Sequence, residues 1–201
     1  MDFKAINKEH FDILKEIGNI GAGNAVTALA KMTSAKVDMN VPRVMLLGFS
    51  EVSELLGHPE DLVFGILVSF EGDLNGMMMM VFKRESARAL INALMGREIA
   101  DTEEFDEMDF SALVEVGNIL SSSYLGALGE LIGKKVMPSV PSLAKDMAGA
   151  ILSVPAVAFG IYADEVLFIE SVFDGGTQTG YFILVPDIES FHIIVESLGI
   201  I

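Results

Sequence analysis

FDILKEIGNIGAGNAVTALAKM, from Phe11 to Met32, lies over FSALVEVGNILSSSYLGALGEL, from Phe110 to Leu131, when the chain is slid along itself by 99 residues. The identical pairs include Phe11/Phe110, Leu14/Leu113, Glu16/Glu115, Gly18/Gly117, Asn19/Asn118, Ile20/Ile119, Ala28/Ala127 and Leu29/Leu128. The register continues through Lys36-Val37 over Lys135-Val136 and reaches Val41-Pro42 over Val140-Pro141. Beyond that the offset grows to 104, with Gly76 over Gly180, Val81 over Val185, Ser86 over Ser190 and Leu94 over Leu198. A repeat of this length decides how the rest of the chain is parsed. Each half is short for an independent core. The sequence therefore predicts one domain over residues 1–201. Its first half covers about 7–96, an acidic junction about 97–109, and its second half about 110–201. The expected fold is α/β of the α+β type: two long helices, one from each half, packed on a shared and mostly antiparallel sheet.

Periodicity supplies the elements. Residues near 7–32 read as helix with Asn7 as a candidate N-cap, 35–39 as strand, and 50–56 as a short helix. Strands are expected at 62–71 and 76–83, joined by the turn-rich Glu71-Gly72-Asp73-Leu74-Asn75-Gly76. An amphipathic helix follows at 85–95. In the second half the reading is helix near 107–132, short helix near 142–147, and strands near 149–159, 165–174 and 179–185. A turn at Asp174-Gly175-Gly176 joins the last two strands, and a helix at 187–198 closes the chain after Pro186. Met77 to Met80 reads as core strand, since it sits opposite the apolar strand at Phe182 to Val185 in the repeat.

Composition narrows the function classes. The chain has 201 residues, 13 Lys+Arg against 29 Asp+Glu and a net charge of -16, yet it is 51% hydrophobic. Its mean hydropathy is +0.49. So acidic a chain is a poor match for nucleic acid or an anionic membrane surface, both of which select basic patches. The absence of Cys excludes disulfides, thiolate metal sites and a Cys nucleophile. The longest uncharged stretch, Met147 to Ala163, is short for a membrane span and carries Pro155. Strands around that proline are the expectation, and a cytoplasmic protein without membrane insertion. In the junction DTEEFDEMD, six of nine residues are acidic. The run reads as a solvated connection whose carboxylates favour the start of the next helix. Gly21-Ala22-Gly23-Asn24-Ala25-Val26 lacks the third glycine of a dinucleotide loop and follows no strand. His10, His58 and His192 are isolated, which argues against a metal centre or a catalytic triad.

On a helical wheel Ile13, Leu14, Ile17, Ile20, Ala28 and Met32 form an apolar arc. Asp12, Glu16, Asn19 and Gly23 form a row outside it, and Ser111, Glu115, Asn118 and Ser122 repeat that row. A carboxylate can pair with a Lys or Arg of a partner, and a carboxamide can hold a water in a fixed orientation. The small residue one turn on leaves room for an incoming surface. Asn within a helix costs up to about 0.7 kcal/mol relative to Ala, so carrying it twice suggests a use. The residues alone leave two readings open: an interaction surface, or polar bridges between the helices or to a neighbouring strand.

The pattern [Asp/Ser]-x3-Glu-x2-Asn-x22-Pro resembles that of the CheC/CheX/FliY family of chemotaxis response-regulator phosphatases. The first copy is Asp12, Glu16, Asn19 and Pro42; the second is Ser111, Glu115, Asn118 and Pro141. The resemblance covers nearly the whole chain. It implies hydrolysis of the aspartyl phosphate of the response regulator CheY. Glu16 and Glu115 would pair with a lysine of that regulator, and Asn19 and Asn118 would orient the attacking water. Asp12, Ser111, Pro42 and Pro141 are expected to be structural, the prolines shaping the return into the sheet. No cofactor of the chain's own is implied; the Mg²⁺ would belong to the regulator. The resemblance also implies binding of the deamidase CheD, expected near Leu143 to Gly149. Non-enzymatic adaptors of CheY or CheD, and flagellar switch components of the FliY type, are the rival expectations.

Overall fold

The computed structural model describes residues 8–33, 39–101, 103–159, 165–173 and 178–199. The first half runs α1 (Lys8–Thr33), β1 (Met39–Gly48), α2 (Phe49–Leu56), β2 (Leu62–Gly72), β3 (Gly76–Lys83) and α3 (Arg84–Met95). The second runs α4 (Glu107–Ile132), β4 (Val136–Pro138), β5 (Ser142–Met147), α5 (Ala148–Phe159), β6 (Glu165–Phe173), β7 (Gln178–Pro186) and α6 (Ile188–Ser197). The Asn7 cap and the turn Asp174-Gly175-Gly176 lie outside the described residues, as does all of the strand expected at 35–39 except Met39.

All strand pairs are antiparallel and join one sheet in the order β1-β6-β7-β3-β2-β4, with β5 also on β2. The two halves interleave across it: β1 from the first, β6 and β7 from the second, β3 and β2 from the first, then β4 and β5 from the second. At the centre β3 pairs with β7, Met80 opposite Phe182. At one edge β1 pairs with β6; at the other β4 and β5 pair with β2.

The sheet is covered on both faces, which accounts for an apolar content this high. Phe64, Ile66, Val68, Met78, Met80, Phe82 and Phe182 point into a core shared with α1, α3 and α4. Their neighbours Val63, Met77, Met79, Val81 and Ile183 point into a second core closed by α2 and α5. The four methionines from Met77 to Met80 are all buried, two on each side, as the period of a strand requires. Among the described residues no helix is long and apolar enough to cross a membrane.

Residues 142–147 and 149–159 correct the sequence reading, which assigned them as helix and strand respectively. They form strand β5 and helix α5. Ala148, Ile151, Leu152 and Pro155 are all buried, and their spacing of three, one and three is that of a helix face. That face seats on the sheet and outweighs the helix-breaking tendency of Pro155. β5 is an exposed edge strand with little alternation, so its pattern carried no strand signal. The repeat itself held the answer, since residues 142–147 align with 43–48 of β1 and α5 begins where α2 does.

The described part of the junction is largely solvent-facing, and its carboxylates begin the next helix as expected while also pairing with nearby cations. Asp106 caps α4, accepting from the Met108 and Asp109 N–H groups at 2.8 and 2.9 Å. Asp109 returns the bond to the Asp106 N–H and, at 1% exposure, pairs with Arg97. Glu104 bridges Arg84 and Lys145, Asp101 meets Arg88, and Phe105 lies under the Arg84 guanidinium. Lys145 and Arg84 hold the Glu104 carboxyl below its ordinary range, and the backbone N–H of Asp109 does the same for Asp106. Depressed carboxylates contribute stability above their unfolded pKa and lose it as pH falls through the folded value. The urea midpoint is therefore expected to drop as pH falls from about 5 to about 3. Arg84→Gln should shrink that drop, and an unchanged pH dependence would count against the pairing.

Candidate functional site

Each motif helix is seated by a glycine. A Cβ on Gly117 would stand 2.6 Å from Ile66 Cγ2, and one on Gly18 would stand 3.2 Å from Val41 Cγ1. The two residues are a repeat pair, so both helices touch the sheet at the same point of the motif. Sequence reasoning gave these two glycines no role in seating the helices. Their identity in both copies, one turn beyond the buried Leu14 and Leu113, was the signal available. At Gly21 α1 crosses α4, where a Cβ would meet Tyr124 Cα at 2.9 Å. Tyr124 is fixed there by stacking on Phe182 at 5.0 Å and by a 2.9 Å hydrogen bond between its hydroxyl and Ser171. Burial pushes its phenol up to about 12.

With the glycine face down, the Glu–Asn row faces out. Asp12, Glu16 and Gly23 are exposed and Asn19 is half-buried; Ser111, Asn118 and Ser122 are exposed and Glu115 is half-buried. Within each helix the carboxylate and the carboxamide lie one turn apart. The two copies differ in detail. Asn19 Oδ1 accepts the Val41 backbone N–H at 2.9 Å. A bond to a neighbouring strand, one of the alternatives open from sequence, is therefore what Asn19 makes. The Asn118 carboxamide has no hydrogen-bond partner among the described residues, and Ser121 Oγ donates to the Asn118 backbone carbonyl. Ile20, expected on the apolar arc, is 44% exposed, whereas its counterpart Ile119 is 9% exposed.

Of the other motif positions, Ser111 Oγ donates to the Glu107 carbonyl at 2.9 Å, a bond within its own helix. Pro42 lies in β1 where the register with β6 shifts between Asn40 and Arg43. Pro141 is buried in the gap between β4 and β5. Beside Ser111 an open groove of about 520 Å³ is lined by Phe110, Val114, Leu143 and Lys145. No cluster of three or more His, Asp or Glu able to hold a metal occurs among the described residues.

A methyl group added at Gly23 would meet nothing within 4 Å. Gly23→Ala should therefore raise stability by up to about 1 kcal/mol through helix propensity alone. A lowered urea midpoint would show that the first helix is under some other constraint.

The arrangement offers twice, on rigid helices, a carboxylate able to receive a cation and a carboxamide able to hold a water. Comparison with known proteins places it. Residues 9–46, which contain the first motif, match the CheC-like family, and residues 64–161, which contain the second, match the chemotaxis phosphatase CheX. The chain is 36% identical over 203 residues to the CheY-P phosphatase CheC of Bacillus subtilis (strain 168), covering 98% of this chain and 97% of that protein. It is 28% identical over 131 residues to the flagellar motor switch phosphatase FliY of the same organism, 65% of this chain and 34% of that one. Among solved structures, Thermotoga maritima FliY superposes with a TM-score of 0.73 at 22% identity, covering 96% of this chain and 98% of that one. Two family matches, each spanning one Glu–Asn motif, and a full-length relative above 30% identity lead to one conclusion: the chain belongs to the CheC-like family of chemotaxis phosphatases.

Proposed function

We propose that this protein dephosphorylates the aspartyl phosphate of the chemotaxis response regulator CheY. The observation that carries the reading is the exposed Asn118 carboxamide, free of partners among the described residues and one turn from Glu115 on a helix seated by Gly117. The 36%-identical relative, named a CheY-P phosphatase, supports the choice of substrate. In this reading Glu115 pairs with a lysine of the regulator and fixes the approach. Asn118 then enters the phosphorylated pocket and holds a water in line with phosphorus. An acyl phosphate is already labile, so positioning and charge compensation suffice. The Mg²⁺ that neutralises the phosphoryl oxygens belongs to the regulator. Glu16 and Asn19 form the corresponding pair on α1, with Asn19 bonded to its own strand. The second copy is therefore the one presented for docking. We assign structural roles to Asp12, Ser111, Pro42 and Pro141, and read the chain as one domain built from two repeated halves, working in the cytoplasm.

CheD is the second partner in this reading. The proposed contact, Leu143 to Gly149, spans the edge strand β5 and the start of α5, where Met147 is exposed and Leu143 half-buried. Met147→Asp should weaken binding of CheD by at least about tenfold, as expected for charging an apolar contact. Undiminished binding would move the contact elsewhere. The function itself is tested by the decay of phosphorylated CheY with and without the protein. Binding without faster decay would mean a non-enzymatic adaptor.

A further inference from the structure

The motif asparagine makes a contact in the first half that its counterpart in the second half lacks. Pairing between β1 and β6 runs from Asn40–Val172 to Arg43–Glu170, so Val41 and Pro42 together face the single residue Ser171. This is a bulge. Proline has no N–H to offer a ladder, and it holds the residue before it in extended backbone. Beside this proline the Val41 N–H donates to Asn19 Oδ1 at 2.9 Å, and Val41 is itself only 1% exposed.

In the second half no such bond joins Asn118 and Val140 among the described residues. Val140 is 84% exposed. Its N–H and the Asn118 carboxamide are both without partners among the described residues. The strand is interrupted between Pro138 and Ser142. Ser139 is drawn to the edge of β2, its N–H donating to the Ser69 carbonyl at 2.7 Å and its Oγ accepting the Ser69 N–H at 3.1 Å.

Resting on the phosphatase reading, we propose that the Val41 N–H is a positioning group that keeps Asn19 withdrawn. The first site is latched while the second stands open. The bond occupies one lone pair of Oδ1 and draws the side chain toward β1, away from the outward row. For Asn19 to reach a partner's pocket the bond must be given up, so the first site works only from a minor population. One hydrogen bond of ordinary net worth lowers that population by roughly three- to tenfold.

The test replaces the Val41 amide by an ester, using the α-hydroxy analogue of valine, in an Asn118→Ala background. Decay of phosphorylated CheY should then be about three- to tenfold faster than with Asn118→Ala alone. An unchanged or slower decay would overturn the latch. Amide hydrogen exchange on the unmodified chain gives a second reading that needs no activity. The Val41 N–H should exchange at least about tenfold more slowly than the Val140 N–H, and Asn19→Ala should remove much of that protection. Equal rates, or protection that survives Asn19→Ala, would overturn the proposal as well. If the wild-type chain fails to speed CheY-P decay, the phosphatase reading has failed, and the exchange rates still decide on the latch.

Discussion

Asn118→Ala is expected to slow the protein-stimulated decay of phosphorylated CheY by about four- to elevenfold, because the latched first site goes on working at roughly a third to a tenth of the open site's rate. Asn19→Ala should cost far less, because its carboxamide is spent on the Val41 N–H and the second site carries most of the turnover. The double variant should leave only the regulator's own decay. The contrast matters more than the size of either loss. Equal losses from the two single variants would mean that both sites work alike, and an undiminished rate in the double variant would remove the proposed chemistry altogether. Binding of the regulator should survive Asn118→Ala, since Glu115 remains, whereas Glu115→Lys should weaken binding by reversing the charge offered to a lysine.

Gly21→Val is expected to lower stability by about 3 kcal/mol, the upper part of the range for overpacking a close contact. The obstacle is backbone: a Cβ would already lie 2.9 Å from Tyr124 Cα. Tyr124 cannot swing aside without leaving Phe182 and unpairing the buried Ser171 hydroxyl. The gain in helix propensity on replacing glycine, up to about 1 kcal/mol, is too small to offset this. The urea midpoint measures it, and a midpoint at or above that of the wild type would show that α1 and α4 are not held at this crossing. Because the two helices carry the two rows, the same variant should also shift Glu–Asn placement in both copies.

The features that were legible in the sequence are those written in local pattern. α4 falls at Glu107–Ile132 as the periodicity requires, and β2 and β3 begin and end around the expected turn. The alternating burial of Met77 to Met80 follows from the strand period. The outward row with Glu115 and Asn118 followed from wheel arithmetic. What escaped was set by contacts distant in sequence. Asn19 and Val41 lie 22 residues apart, and Val41 sits at a bulge set by pairing with the distant β6. The burial of Asp109 depends on Arg97 reaching it from beyond α3. β5 and α5 were misread because a proline was weighed more heavily than the spacing of Ala148, Ile151, Leu152 and Pro155, and because an edge strand with both faces wet has no period to detect.

The interleaving of strands from the two halves also dictates an order of events during synthesis. β1 leaves the ribosome early, yet its ladder partner β6 follows much later; the Arg43–Glu170 pair spans 127 residues. β2 likewise waits for β5 to cover its outer edge. Only the β2–β3 hairpin can close from neighbouring sequence in the first half. Long-range pairing of this kind slows folding and leaves strand edges open in the interval. The nascent first half is thus a chain with a motif helix and no finished sheet beneath it, and the bulge beside the Asn19–Val41 bond cannot form until β6 has been made.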